Sequence, residues 1–174
     1  VSHERTQFLR EAGLVERMHT EPHFGSYSVG LHSYNAVNLL LLLNPSPSMN
    51  LVKAVLWHDA AERLTGDVPA PAKWANPELK ASLDLSEDRI LGHYGLKIVL
   101  DSYENQWLKA VDRLELWIWA SEQARFGFQF SGEACSMIEK LMQREDSFTP
   151  YEVTKFMAEF IPGTRISSNH DVIF

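Results

Sequence analysis

The sequence predicts an all-α protein, and three observations carry that reading. Between the breaks, apolar residues recur at spacings of three and four, the repeat of a helix with one buried face. No stretch alternates cleanly between apolar and polar residues, as a half-buried strand would. Helix-start chemistry stands just past several of the breaks.

The breaks fall at 19–27, at "NPSPS" (44–48), at "TGDVPAPAKWANP" (65–77), near "GHYG" (92–95), at "RFGFQFSG" (125–132) and after Pro162. The elements between them follow in order. Residues 3–18 read as a first amphipathic helix and 28–43 as a second, stopped by Asn44-Pro45. A third spans about 49–64, after Pro47-Ser48, and a fourth lies near 79–99. The fifth, about 102–126, opens with the capping-box pattern Asp101-x-x-Glu104, in which each side chain satisfies a backbone donor of the other residue. A sixth covers about 131–146. The seventh begins at Thr149-Pro150-Tyr151-Glu152, read as a cap, a proline at the first helical position and a glutamate at the third. The expected architecture is one domain over 1–174, a compact bundle of about seven helices. Its core lies at about 8–162, followed by a short irregular C-terminal tail.

At 174 residues the chain is long enough for a substantial core. The balance of 16 basic against 23 acidic residues, a net charge of −7, argues against a nucleic-acid-coating surface. The single Cys135 rules out an internal disulfide framework and a cysteine-based zinc site, and fits a reducing compartment. "VSHERTQFLR" lacks the apolar core of a signal peptide. The run "LLLLL" at 39–43 falls far short of a ~20-residue membrane span. The expectation is a soluble, cytoplasmic protein.

Against this background, several polar residues stand on apolar stripes. In the third helix Leu51, Val55, His58 and Glu62 follow at spacings of four, three and four, with Asp59 on the stripe's edge. In the second, His32, Ala36, Leu40 and Leu43 share one face. In the fifth, Leu108, Asp112, Leu116 and Trp119 do. Burying such groups unpartnered is costly, ionised carboxylates most of all. A divalent cation resolves the conflict, since two neutral imidazoles and two carboxylates balance its charge; that mixed set suits Mn, Fe, Co, Ni or Zn. For each residue alone a plainer role stays open: a satisfied core histidine for His32 or His58, a pairing with Arg113 or Lys109 for Asp112. The joint occurrence on three helices favours the metal. Glu62 shares the ligand face without an obvious cation four residues away, a placement suited to general acid/base work; its plainer role is an i, i+4 partner of His58.

The order His32, then His58-Asp59, then Asp112 resembles the HD-domain phosphohydrolase superfamily, over roughly residues 8–162. "LWHDAAERLTGDVPAPAKW" is similar to small bacterial 5′-deoxynucleotidases of the YfbR type. It is at least as similar to the phage dATP triphosphohydrolases called DatZ, which the short tail and compact length favour slightly. The resemblance implies that His32, His58, Asp59 and Asp112 hold one divalent metal ion per subunit, whether Co, Zn, Mn, Ni, Fe or Mg. It implies that Glu62 is catalytic and that Asp67 holds the sugar 3′-hydroxyl, where turn chemistry alone would equally place a Gly-Asp. Lys73, Lys109 and Arg17 match phosphate-binding positions, and Pro71 a base-pocket position. In the deoxynucleotidases a Trp follows the arginine; here it is Met18. Met18 or Thr20 then lines the sugar and base pocket, and Trp74 adds an aromatic wall or anchors the connector. The implied function is metal-dependent hydrolysis of a small-molecule deoxynucleotide, first dATP to deoxyadenosine plus triphosphate, alternatively phosphate release from dNMPs. A homo-oligomer, dimer or hexamer, is expected, in the host cytoplasm if phage-encoded. The other readings are a non-catalytic nucleotide-sensing module, which the full set of candidate ligands plus Glu62 opposes, and a helical interaction protein without metal. "GSYSVG" (25–30) is no phosphate loop, lacking Lys-Ser/Thr and an upstream strand. His19 and His23 stand in an irregular segment where a second zinc site is not expected. "LWIWASEQARFGFQF" (116–130) reads as core by its spacing, with apolar excess for a subunit interface.

Overall fold

The computed structural model describes residues 2–143 and 149–160. Among these the chain is all-helical, without a sheet. The helical segments are α1 (His3–Ala12), α2 (Val29–Leu43), α3 (Met49–Trp57), α4 (Glu62–Thr65), α5 (Ala70–Ala75), α6 (Pro77–His93), α7 (Ser102–Arg125), α8 (Gln129–Gln143) and α9 (Tyr151–Glu159). The end expected for the sixth helix at 144–146, and the tail with the last residues of the expected core, lie outside the described residues.

The long helices start where their caps allow. The Ser28 hydroxyl accepts from the Leu31 amide and opens α2; Ser48 does the same for α3 through Leu51. Asp101 and Glu104 complete the reciprocal capping box of α7. Asn76, with Pro77 behind it, starts α6 by accepting from Leu79. Thr149 behaves otherwise than expected. Pro150 is itself the cap of α9, and the Thr149 hydroxyl donates to the Met142 carbonyl at 2.8 Å, tying α9 to the end of α8.

Two expected helices are broken, the fourth ends at His93 rather than near 99, and one expected loop is partly helical. The first helix stops at Ala12, six residues early. The chain then runs antiparallel to itself: Glu16 bridges Ser28, Arg17 N–H donates to Tyr27 O at 2.8 Å, and Val29 N–H to Val15 O at 2.8 Å. Gly13 and Gly30 meet there backbone to backbone. A Cβ on Gly30 would stand 2.9 Å from the Gly13 carbonyl oxygen, so the crossing needs a glycine. "GSYSVG" is thus a structural crossing that presses the Arg17 segment against α2. The third helix breaks at 58–61, where tighter bonds such as Glu62 N–H to Asp59 O at 3.0 Å replace the α pattern. The proline-rich connector, expected as a loop, carries α5.

The main core lies between α2, α3, α7, α8 and α9, with Leu40, Leu51, Val55, Trp107, Val111, Leu114, Ile138, Met142 and Val153 buried in it. A second cluster gathers Phe8, Ala12, Ala60 and Leu96, and a third Tyr27, Trp119, Ala120 and Ala134. Trp117 and Trp119 are buried as their spacing predicts, whereas Phe126 is exposed. No helix among the described residues is long and apolar enough to cross a membrane.

Candidate metal centre

His32 projects from the first turns of α2, fully buried, while His58 and Asp59 occupy the turn that ends α3 and Asp112 sits midway along α7. Their donor atoms converge. His32 Nε2 lies 3.3 Å from His58 Nε2, 3.1 Å from Asp112 Oδ1 and 3.8 Å from Asp59 Oδ2. His58 Nε2 lies 3.2 Å from Asp59 Oδ2 and 3.6 Å from Asp112 Oδ1. Atoms bound to one cation at about 2.1 Å stand about 3.0–3.4 Å apart at neighbouring positions. The spacings therefore suit a shared divalent ion, and His32, His58 and Asp59 form a cluster within 4.8 Å able to hold one.

The orientation of the two imidazoles points the same way. His32 Nδ1–H donates to Glu115 Oε2 at 2.5 Å, and His58 Nδ1–H donates to the Val55 carbonyl at 2.8 Å. Each ring therefore turns Nε2, with its lone pair, toward the other. In the neutral rings the two lone pairs, 3.3 Å apart, repel, and a proton or a metal cation between them relieves this. Burial opposes protonation of His58, yet the adjoining Asp59 and Asp112 carboxylates hold it well above the usual imidazole range; His32 is raised as well. The carboxylates respond in kind. Asp59 and Asp112 lie below their ordinary range despite burial, held there by the imidazoles and, for Asp59, by Arg17. The chemistry of the donor set fits a divalent cation.

Glu62 opens α4, just past the turn, 6% exposed, and its Oε2 is buried without a hydrogen-bond partner. Burial first, then repulsion from Asp59, pushes its carboxyl up to about 9. An unsatisfied buried carboxyl beside such a cluster is costly and marks a place where water or a ligand group would bind.

The structure brings Arg17 to the cluster. Its guanidinium pairs with Asp59 Oδ2 and lies over the Tyr27 ring, 5.6 Å from the centroid, while its Nε stays buried and unpartnered. Met18 adopts a left-handed backbone (φ 54°) and its N–H donates to Asp67 Oδ2 at 2.8 Å, joining two expected pocket residues. Lys73 on α5 acts electrostatically on Glu62 and Glu87. Thr20, Pro71 and Lys109 are exposed. Lys109 stands one turn before Asp112, and no described hydrogen bond or ion pair joins these three to the cluster. His23 meets Trp119 edge-on at 5.4 Å.

Two features escaped the sequence reading. Glu115, 4% exposed, backs His32 from α7. Its signal was a carboxylate one turn beyond Asp112 between Val111 and Trp119, but the helical face chosen ran through Leu116. The other is a cavity of about 450 Å³ that reaches His58, lined by apolar side chains such as Trp57, Leu96, Ile98 and Leu108 and by Asp84, Glu87 and Asp88.

A family model described as 5′-deoxynucleotidase YfbR-like matches residues 7–97. The 5′-deoxynucleotidases YfbR of Salmonella paratyphi B and Salmonella newport are 27% identical over 131 residues, covering 64% of this chain and 62% of each relative. The chain thus spans about 62% of the length of these relatives. An HD-domain phosphohydrolase of Listeria innocua superposes with a TM-score of 0.75 at 19% identity, covering 92% of this chain and 87% of that one. The cyanophage S-2L HD phosphohydrolase DatZ, bound to dA and one catalytic Zn2+ ion, superposes at 0.67 and 18%, covering 91% and 93%. At those identities the structures show a common HD-domain fold.

Proposed function

Because the chain belongs to the YfbR-like 5′-deoxynucleotidase family, we propose that it is a metal-dependent phosphohydrolase of deoxynucleotides, with His32, His58, Asp59 and Asp112 holding one divalent cation. The observation that carries this reading is the convergence of two Nε2 atoms and two carboxylate oxygens beside the unpartnered Glu62 carboxyl. When bound, such a cation polarises a phosphoryl group and brings the pKa of water toward neutrality. Glu62 relays the proton from the attacking water to the leaving 5′-oxygen as the new P–O bond forms and the P–O5′ bond breaks. Arg17, Lys73 and Lys109 stabilise the charge spreading over the phosphate oxygens. Asp67 receives the sugar 3′-hydroxyl; its bond to the Met18 amide supports a common pocket in which Met18, Thr20 and Pro71 line sugar and base.

Phosphate-chain length separates two forms of this reaction. The first is dATP to deoxyadenosine plus triphosphate. The fold shared with DatZ, whose structure holds dA and one catalytic Zn2+ ion, supports it; the cavity beside His58 does not, because its charged lining is Asp84, Glu87 and Asp88. The second, phosphate release from dNMPs, is supported by the family itself. A homo-oligomer belongs to the same proposal, supported by Leu31, Tyr34, Leu41 and Leu42 exposed along α2.

The test is a chromatographic product assay with Co2+- or Mn2+-loaded protein against the four dNTPs, their monophosphates and ATP. Deoxyadenosine with intact triphosphate from dATP is the expected result. Phosphate from monophosphates alone selects the second form. Metal bound without turnover would contradict both and favour a sensing module.

A further inference from the structure

Glu115 never reaches the converging atoms, yet it is the most elaborately held carboxylate near them. Oε2 accepts the His32 Nδ1–H at 2.5 Å and the Tyr27 hydroxyl; Oε1 accepts from Asn35 Nδ2 at 3.2 Å. A buried carboxylate is expensive without such donors. The donors are themselves fixed. Tyr27 stacks on Trp119 with ring centroids 4.3 Å apart, and its carbonyl accepts the Arg17 amide at 2.8 Å. Asn35 rises from α2 one turn after His32.

The two imidazoles are therefore unequal. A backbone carbonyl, Val55 O, backs His58, and a side-chain carboxylate, Glu115, backs His32. Both devices impose the same tautomer, but only a carboxylate also makes the imidazole a stronger electron-pair donor. It adds a third anion, beside Asp59 and Asp112, to the field felt by a cation at the centre. A Gln would fill the same volume without a buried charge, but would offer one acceptor oxygen where Glu115 accepts at both.

We propose that Glu115, held by Tyr27 and Asn35, is a positioning residue that fixes His32 as an Nε2 donor and tightens divalent-metal binding without touching the metal. This rests on the reading of the centre as a metal site.

The experiment measures Co2+ affinity by chelator competition, with the visible absorption of bound Co2+, for wild type, Glu115→Gln, Glu115→Asp and His58→Ala. The metal-free proteins are compared by thermal melting. The proposal expects Glu115→Gln to melt like wild type but bind Co2+ about 10–100-fold more weakly, with altered absorption, and Glu115→Asp to recover part of the loss. Wild-type affinity in Glu115→Gln would overturn it. Should Glu115→Gln fail to fold, Tyr27→Phe removes one donor and keeps the carboxylate. A several-fold weaker affinity supports the proposal there, and an unchanged one overturns it. Absence of Co2+ binding in wild type would instead overturn the metal reading itself, which His58→Ala, expected to lose the ion, checks independently.

Discussion

Leu40, Leu51 and Val111 bury apolar surface between α2, α3 and α7, whereas His32, Asp59 and Asp112 gather charge on those helices and the turn after α3. In the apolar cluster each contact lowers the free energy of the folded chain, through burial worth roughly 25 cal/mol per Å². In the charged centre burial works the other way. Desolvation opposes the ionised form of Asp59, Asp112 and Glu62; the imidazoles and Arg17 outweigh it at Asp59, the imidazoles at Asp112, and at Glu62 the neighbours leave it unrelieved. Neighbouring regions on one scaffold thus answer to different demands, stability in one and readiness for a ligand in the other. Substitutions should separate them cleanly.

The largest effect is expected at Asp112. Asp112→Ala should lose the metal and lower turnover by about 10³-fold or more, the equivalent of several kcal/mol of lost charge stabilisation; full metal occupancy would remove Asp112 from the ligand set. Glu62→Ala should keep the metal and lose about 10²–10⁴ in kcat, and a wild-type rate would end its catalytic role. Leu51→Ala, in the apolar cluster, reverses the pattern. It should cost about 2–5 kcal/mol in denaturant unfolding while the folded fraction keeps its metal stoichiometry.

Glu62→Gln sharpens the comparison through pH. The Glu62 carboxyl is raised to about 9 in the folded metal-free chain, above its unfolded value of about 4.5. Between those values the unfolded state gives up a proton that the folded state keeps, so folding weakens as pH rises. Metal-free Glu62→Gln should therefore be more stable than wild type at pH 8, by roughly a few kcal/mol, with the gap closing toward pH 5. Equal stabilities at pH 8 would show that Glu62 is not desolvated. The smallest effect belongs to Asp101→Ala, which removes half the capping box of α7; about 1 kcal/mol is expected, with kcat unchanged.

The helices legible in the sequence were those whose limits carry side-chain signals. Ser28 and Asn44-Pro45 bracket α2, and Asp101 opens α7, so both lie within a residue of expectation. The break at 58–61 was hidden because Leu51, Val55, His58 and Glu62 keep a helical period straight through it, with no Gly or Pro to mark the turn. The 13–28 segment was hidden for another reason. Its geometry comes from a tertiary crossing of Gly13 and Gly30, which no local pattern records. The candidate cluster was legible as a joint pattern, since several helices each turned a metal-capable side chain inward. Its surroundings were not: that Arg17 pairs with Asp59 and Tyr27 with Glu115 depends on residues 42 and 88 positions apart meeting in space.

The central claim is that four side chains from α2, α7 and the turn after α3 form one divalent-metal site that the chemistry requires. The most direct test is metal analysis of metal-free protein after Co2+ loading and desalting, by inductively coupled plasma mass spectrometry, for wild type and Asp112→Ala. The account predicts one equivalent per chain in wild type and none in Asp112→Ala. A wild-type protein that folds but retains no metal would contradict it.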